Sequence, residues 1–307
     1  MPDLFPVLIP LVTLIGLGYL VGRVCKIDLQ SVGALLIFVV GPIVSFGATA
    51  QLNFRKEYLL LPVFAFLVAS LTGLASKGAG VLFLRQKNLG ALLPEATGTC
   101  NWGFLGLPLV MALFPPEAVG AYFLITLGIQ FFDSSFGYYY IARGNVSTRE
   151  AVLKVLCLPT PYAIVGGLVF SIFHIELHPI FTYMYDASKG AYTLFGMMLV
   201  GLALSSYKKL EFHKDLFALT VLGRYGFWTA LALLFIWTDH TFLHLFDIDI
   251  YRQFLLLGVL PVAAVLTAIA AQCDFKPQVA APLVVMTVVL SLIIFPFVLP
   301  VIMAFQP

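Results

Sequence analysis

Long apolar runs, separated by short polar segments, recur along the whole chain. Each run is long enough to cross the hydrocarbon core of a bilayer as a helix, which takes about 20 residues. The segments between the runs are polar, as in RVCKID, NFRKEY, RQKN, RGNVSTREAVLK and SYKKLEFHKD. We predict ten membrane-spanning helices, at about residues 4–22, 31–50, 58–84, 89–113, 117–142, 152–174, 188–207, 216–238, 253–272 and 277–304.

The composition supports this reading of the pattern. Hydrophobic residues make up 61% of the chain and charged residues 10%, whereas a soluble domain carries about 25% charged residues. We therefore expect an all-α polytopic membrane protein without a soluble domain. The first residues, MPDLFPVLIP, lack the positive region of a cleaved signal peptide. The four cysteines form no cluster with ligand spacing, so we expect no bound metal and no structural disulfide.

The distribution of lysine and arginine predicts the orientation. An even number of spans places both termini on the same side of the membrane. Eleven lysines and arginines fall in the loops after odd-numbered spans, and four fall in the other set. Because positive charge is retained on the cytoplasmic side, we expect both termini to lie outside.

The chain compares well with itself at a shift of about 157 residues. SVGALLIF at 31–38 aligns with SKGAYTLF at 188–195, and NFRKEYLLL at 53–61 aligns with EFHKDLFAL at 211–219. Residues 1–150 and 151–307 would then each hold five spans. Five is odd, so the second half enters from the opposite side. We predict two inverted five-helix repeats, an architecture common among secondary transporters.

Two predicted spans, the fourth and the ninth, contain helix-breaking residues in the middle of an apolar run. The fourth carries Asn101, Gly103, Gly106 and Pro108, and the ninth carries Gly258 and Pro261. Freed backbone groups persist in a membrane only inside protein or around a wet cavity. Half-helix amino ends carry partial positive charge. Two crossed broken helices therefore predict an anion site, at which the glycines allow close backbone approach.

Asp133 is an ionisable residue well inside the fifth span, with Gln130 one helical turn away on the same face. An intramembrane carboxylate marks a functional site by default. Two interpretations stay open: a proton- or sodium-binding group beside the substrate cavity, or a structural ion pair with Arg224 of the eighth span.

Two further charged side chains lie within predicted spans. Glu95, in the fourth span, could contribute to cation coupling or reach the interface. Lys77, in the third span, could steer the anion or extend its ammonium group to the membrane surface. We count Gly106, Pro108, Gly258 and Pro42 as helix-breaking positions.

Other classes of protein lack support in the sequence. The chain has no Walker A loop, no H-E-x-x-H and no G-x-S-x-G, so we expect neither an enzyme nor an ATP-driven pump. We expect no nucleic-acid partner and no cofactor beyond a coupling proton or sodium ion. A channel or a membrane sensor of a small anion remains the alternative. Flux that saturates would distinguish a carrier from both.

The spacing Asn101-x-Gly103-x-x-Gly106-x-Pro108 resembles the fourth-helix motif of the auxin efflux carrier family. GPIVSF at 41–46 is similar to the Pro-Leu-Leu-Ser-Phe stretch in that family's second helix. LPVAAVLTAIAAQCDFKP at 260–277 is similar to its ninth helix. The number of spans and the outside termini agree too, so the resemblance covers essentially the whole chain.

This resemblance implies a fold like that of the bile-acid sodium symporters, in which a transport domain moves against a scaffold domain. It implies a substrate carboxylate near Asn101 and the break at Pro261 and Val262, with Ser45 and Gln130 lining the same cavity. Bacterial members carry small organic anions such as malonate and malate, and plant members carry auxin. We therefore expect an organic-anion carrier of the bacterial inner membrane, with symport and a homodimer as open possibilities.

The sequence departs from the family pattern where the coupling mechanism is concerned. Plant carriers usually have an acidic residue one turn before the lysine that corresponds to Lys77, and here that position is Gly73. Gln272 and Asp274 stand where the ninth helix normally ends in glutamate and tyrosine. Gln272 is nevertheless a candidate coupling residue by its position.

Overall fold

A computed structural model describes residues 5–25, 27–142, 157, 159–206, 211–273 and 275–307. Within these ranges the protein is helical and contains no β-strand. The helices are α1 (Phe5–Val24), α2 (29–50), α3 (Lys56–Phe83), α4 (Leu93–Leu113), α5 (Pro116–Ile141), α6 (Pro159–Ile172), α7 (Pro179–Ser206), α8 (Lys214–Leu243), α9 (Ile248–Val259), α10 (Val265–Gln272) and α11 (Pro277–Ala304).

Six of the described helices are long and apolar enough to cross a membrane. They are α2, α3, α4, α5, α8 and α11. The shorter apolar helices include α6 and the part of α1 from Ile9 to Val24. Many large apolar side chains face outward, as on α11, where Ile293, Phe297 and Val301 are all exposed. The described part of the chain is therefore all-helical, with the surface and the helix lengths of a membrane protein.

The described helix bounds differ from the predicted spans mainly at α7. This helix begins at Pro179, well before the predicted start at residue 188. The segment TYMYDASK looks polar in sequence, but Asp186 and Lys189 form an ion pair at 2.8 Å, three residues apart on one face. Such a pair supports a continuous helix. Several loop cations used to predict orientation lie outside the described residues: Lys26, Arg143, Arg149, Lys154, Lys208 and Lys209.

The helices pack in two groups. In the first group, α1 packs along α7, and α6 packs along the second half of α2, which also contacts α7. In the second group, α3 packs against α4 and α5, while α8 packs against α9, and α11 packs against α9 and α10. The two groups meet where α2 contacts α5 and where α7 contacts the residues that follow the interruption in α4.

Close backbone contact holds α1 to α7. A Cβ atom added at Gly18 would overlap the backbone of Met198, and one added at Gly201 would overlap the carbonyl oxygen of Ile15. The small-residue spacing of GYLVG at 18–22 therefore serves the packing of these two helices within the chain.

Five helical segments contain wide π-helical turns, at Leu36–Val40, Trp102–Gly106, Asp133–Gly137, Leu222–Phe227 and Asp239–Leu243. Such turns are rare and often occur at functional sites. Three of them hold or directly follow candidate site residues: Asn101, Asp133 and Arg224.

Candidate functional site

The first interruption lies within α4. The helix runs from Leu93 to Gly98, is interrupted at 99–101, where Thr99 is extended, and resumes at Trp102. The break therefore comes earlier than the predicted stretch from Asn101 to Pro108. Pro108 lies directly after the π-helical turn Trp102–Gly106, inside the helix that continues to Leu113, and it does not interrupt that helix.

Gly106 lies inside the π-helical turn that follows the first break and does not itself interrupt the helix. Its N–H donates to the carbonyl oxygen of Asn101 at 2.9 Å. A Cβ atom at this position would overlap the Tyr122 hydroxyl and the side chain of Leu260. A larger residue at this position would have to displace these two side chains, whereas glycine leaves room for both.

The second interruption separates α9 from α10 at residues 260–264. Pro261 lies within it, as predicted, whereas Gly258 lies inside α9, where a Cβ atom would come within 2.7 Å of Thr229 Oγ1. Side chains of α11 satisfy the freed backbone groups. The Val262 N–H donates to Thr287 Oγ1 at 3.1 Å, and the Ser291 hydroxyl donates to the Val259 carbonyl oxygen at 2.9 Å.

A backbone hydrogen bond joins the two interruptions directly. The N–H of Asn101 donates to the carbonyl oxygen of Pro261 at 2.8 Å. On one side of this contact lie the amino ends of the helical segments that begin at Trp102 and Val265. On the other side lie the carboxyl ends of the segments that finish at Gly98 and Val259. The amino ends, which carry partial positive charge, therefore lie on one side of the contact. The carboxyl ends, which carry partial negative charge, lie on the other.

A cavity of about 270 Å³ lies at the amino ends. Residues from both breaks line it, including Asn101, Trp102, Gly103, Ala263 and Val265. The rest of its wall comes from α2, α5, α6 and α7, namely Leu36, Ile37, Gly41, Phe123, Gln130, Asp133, Thr160 and Tyr192. The wall is therefore largely apolar, with a few polar groups that converge on one space, which is typical of a ligand site.

The polar groups of this wall have unused hydrogen-bonding capacity. The Asn101 side chain makes no hydrogen bond to another described residue. Gln130 Nε2 and Asp133 Oδ1 are buried and likewise have no partner in the described part of the chain. Buried polar atoms are normally paired, so unpaired donors and acceptors around one cavity suggest that a ligand or water pairs with them.

Four of the predicted substrate and coupling residues line the cavity: Asn101, Gly103, Gln130 and Asp133. Pro261 and Val262 lie next to it, and their backbone groups bond to Asn101 and Thr287.

Ser45 is buried away from this wall, and its hydroxyl donates to the Pro42 carbonyl oxygen at 3.1 Å. Pro42 is the second residue of the segment Gly41–Ala50 and does not break α2, because the π-helical turn Leu36–Val40 before it shifts the hydrogen-bond register.

Glu95 is completely buried in the first segment of α4, and neither carboxyl oxygen has a partner among the described residues. It packs against the backbone of Gly137, where a Cβ atom would overlap Glu95 Oε2. It is close enough to Asp133 for the two carboxyl groups to interact electrostatically. No pattern in the sequence indicates that Glu95 and Asp133 are neighbours.

Asp133 and Arg224 do not form an ion pair within 4 Å in the described structure. Arg224 donates instead to main-chain carbonyl groups: Nη1 to Thr97 at 3.0 Å and Thr99 at 3.3 Å, and Nη2 to Leu257. The Asp133 carboxyl group therefore lies beyond salt-bridge distance from the Arg224 guanidinium group.

Lys77 lies away from the cavity that Asn101 lines. Its ammonium group is 3.8 Å from the centre of the Tyr140 ring, in a second cavity that also contains Lys87 and Tyr139. It does not line the cavity beside Asn101. The backbone of Gln272 ends α10, but its side chain lies outside the described residues, as does Asp274.

Aromatic residues were not predicted for the cavity, although they form much of its wall. Tyr192 of α7 is buried, and its ring stacks on Phe104 with centroids 6.4 Å apart. No pattern around either residue separates them from the many other aromatic side chains of the membrane spans. Their role arises because α7 packs against the residues after the first break.

No group of three or more histidine, cysteine, aspartate or glutamate side chains in the described ranges is arranged to hold a metal ion. Comparison of the sequence with models of known protein families gives no match, and comparison with functionally characterised proteins gives none either. The function is therefore argued from the site.

Proposed function

We propose that this protein is a secondary transporter of a small organic anion, and that the anion binds in the cavity between the two helix breaks. The observation that carries the proposal is the meeting of two half-helix amino ends and the unpaired Asn101 amide at one cavity. Helix amino ends present free N–H groups and partial positive charge, which favour a carboxylate. The Asn101 amide N–H group supplies a further neutral donor.

The cavity wall favours a carboxylate with an apolar body over a dicarboxylate. Trp102, Phe104, Phe123 and Tyr192 form much of the cavity wall, so a second carboxylate would lie mostly against aromatic surface. Burying an unpaired charge weakens binding by several kcal/mol. Burying an aromatic ring strengthens binding by about 25 cal/mol per Å² of apolar surface removed from water. Among the acids expected from the family resemblance, indole-3-acetate fits this wall better than malate or malonate.

The two groups of helices support a transport cycle. We propose ten membrane spans in two inverted five-helix repeats, with α9 and α10 forming one broken span that crosses α4. The group formed by α1, α2, α6 and α7 would be the scaffold domain, and the other group the transport domain. This arrangement is the one implied by the resemblance to the auxin efflux carriers, and we place the protein in that family as part of the same proposal.

The coupling ion in this proposal is a proton, with uncoupled transport as the other possibility. Asp133 lines the cavity and interacts with the buried Glu95. Two carboxyl groups in this position could take up and release a proton as the site changes its access. The membrane would be the inner membrane of a bacterium, with both termini outside. The lipid bilayer and the anion are the expected partners, and a homodimer is compatible with the fold.

A sensor or a channel for a small anion is the alternative, and turnover separates these classes. We would measure uptake of radiolabelled indole-3-acetate, malate and malonate into proteoliposomes, with an imposed pH gradient, sodium gradient or membrane potential. Saturable uptake with counterflow supports the carrier. Binding without uptake of any acid would instead support a sensor, and uptake that does not saturate would support a channel.

We expect Asn101→Ala to weaken binding of the transported acid by about tenfold to a hundredfold, because hydrogen bonds to a charged group contribute roughly 1.5–3 kcal/mol. Isothermal titration of the detergent-purified protein gives the affinity. The exposed residue Asn88 provides a matched control, since Asn88→Ala removes the same side chain away from the breaks. Equal affinity in Asn101→Ala and the unaltered protein would remove the site from consideration.

A further inference from the structure

Arg224 is a completely buried cation whose surroundings differ from those of an ordinary membrane arginine. It lies on the π-helical turn Leu222–Phe227 of α8, with none of its surface exposed. Its guanidinium group is 4.2 Å from the centre of the Trp228 ring. Buried charge in a membrane is retained only where specific groups compensate it, so those groups define what the arginine does.

The compensating groups are the carboxyl ends of both broken helices. The Nη1 atom donates to the carbonyl oxygens of Thr97 and Thr99, where the first segment of α4 ends. The Nη2 atom donates to the carbonyl oxygen of Leu257, in the last turn of α9. A helix leaves its last four carbonyl groups without partners and carries partial negative charge at that end. One planar guanidinium therefore serves two helix ends at the same time.

The described structure contains no ion pair to Arg224. Asp133 is a carboxyl group near enough to interact with it electrostatically. Cys100, Tyr122 and Tyr225 are the other titratable groups near it. Its charge is therefore compensated mainly by carbonyl dipoles, which are the kind of oxygen ligand that a bound alkali-metal or alkaline-earth cation would also take.

We propose that Arg224 is a built-in cation that occupies, at the crossed carboxyl ends, the place that a bound metal cation would otherwise need to fill. The opposite amino ends can then accept an anion without any metal ion bound at the crossing. This inference rests on the proposed anion site, and it adds that formation of the site is independent of sodium.

The first test uses the unaltered protein. Affinity for whichever of indole-3-acetate, malate or malonate binds most tightly is measured in sodium chloride and again with every sodium ion replaced by N-methylglucamine. We expect the same affinity in both. Loss of binding without sodium would overturn the proposal, because the crossing would then depend on a mobile ion.

The second test removes the guanidinium and returns it as a free ion. We expect Arg224→Ala to bind the acid at least about tenfold more weakly. Guanidinium chloride at low concentration should restore the affinity, and urea at the same concentration should not, since urea has a similar shape and no charge. Arg224→Lys, which keeps the charge, should bind independently of added cations. Binding by Arg224→Ala that equals the unaltered protein, or that guanidinium fails to restore while the protein stays folded, contradicts the proposal.

A third measurement separates this proposal from the proposed function. Thermal unfolding of Arg224→Ala is followed with guanidinium or urea and no organic acid. A higher unfolding temperature with guanidinium alone supports the role at the helix ends even if none of the three acids binds. If Arg224→Ala does not fold, Arg224→Lys and the sodium-replacement experiment still test the proposal.

Discussion

Asp133 combines three properties that concern proton coupling. It lines the cavity beside Asn101, its Oδ1 atom is buried without a partner in the described structure, and it interacts electrostatically with Glu95. Its proposed role does not require a salt bridge, since Arg224 bonds to carbonyl groups of the helix breaks. A change at Asp133 should therefore affect coupling more than folding.

We predict that Asp133→Asn removes the response of uptake to an imposed pH gradient and leaves the unfolding temperature nearly unchanged. The amide has the same shape as the carboxylate and cannot exchange a proton. Proteoliposome uptake with and without the gradient measures the response. Asp186→Asn is the control, because Asp186 is exposed and pairs with Lys189 on the far side of α7. An Asp133→Asn variant whose uptake still follows the gradient would exclude Asp133 as the coupling group.

Individual residues differ in how far the sequence alone can single them out. Asn101 and Asp133 can be singled out because a polar group inside an apolar span is costly unless a partner or a wet cavity compensates it. Both residues line the cavity. Arg224 and Tyr192 could not be assigned in this way. Arg224 acts through carbonyl groups of Thr97, Thr99 and Leu257, which carry no side-chain signal and become neighbours only through the crossing of the two breaks.

At the scale of helices, the contact between α1 and α7 depends on glycine. At Gly201 a Cβ atom would overlap the backbone of Ile15, whereas at Gly190, on the same helix, nothing lies within 4 Å of the added atom. The two positions therefore separate the intrinsic effect of alanine on a helix from its effect on packing.

We predict that Gly201→Ala lowers the free energy of unfolding by about 1–3 kcal/mol, because the two backbones must move apart. Gly190→Ala should be neutral or slightly stabilising, by up to about 1 kcal/mol, since alanine favours the helix more than glycine does. Thermal unfolding in detergent compares the variants. An equal response of the two positions would show that α1 and α7 are not in close backbone contact.

The apolar pattern predicts the presence of membrane helices better than it predicts their exact ends and their π-helical turns. The pattern predicts apolar helices throughout, and the described structure is helical throughout. It does not predict the π-helical turns, because a shift of one residue in hydrogen bonding leaves no trace in polarity. It also misses the start of α7, because a polar pair one helical turn apart resembles a loop when only polarity is considered.

At the scale of the whole molecule, the orientation in the membrane is still a prediction from the charged loops. Cys25 follows α1 and is exposed, at the end that we expect to face the cytoplasm. Asn53 is exposed between α2 and α3, on the opposite side of the same expectation. Both positions can carry a label without disturbing a helix.

We predict that a membrane-impermeant maleimide labels Cys25 only after the cells are permeabilised, in a variant whose other three cysteines are replaced by serine. The control replaces Cys25 too and introduces Asn53→Cys, which should be labelled in intact cells. The reverse result at both positions would place the termini inside, and equal labelling at both would contradict the predicted orientation.

The stacking of Phe104 on Tyr192 has a consequence for pharmacology. The two rings belong to different groups of helices. The boundary along which these groups would move past each other in the proposed cycle therefore runs through the wall of the cavity. An acid whose tail extends past the cavity would insert the tail between the two rings and block their movement past each other. Such a compound would be held as tightly as a substrate and never be carried across. Lengthening the tail of a transported acid by single methylene groups should thus turn a substrate into a competitive inhibitor at a defined length.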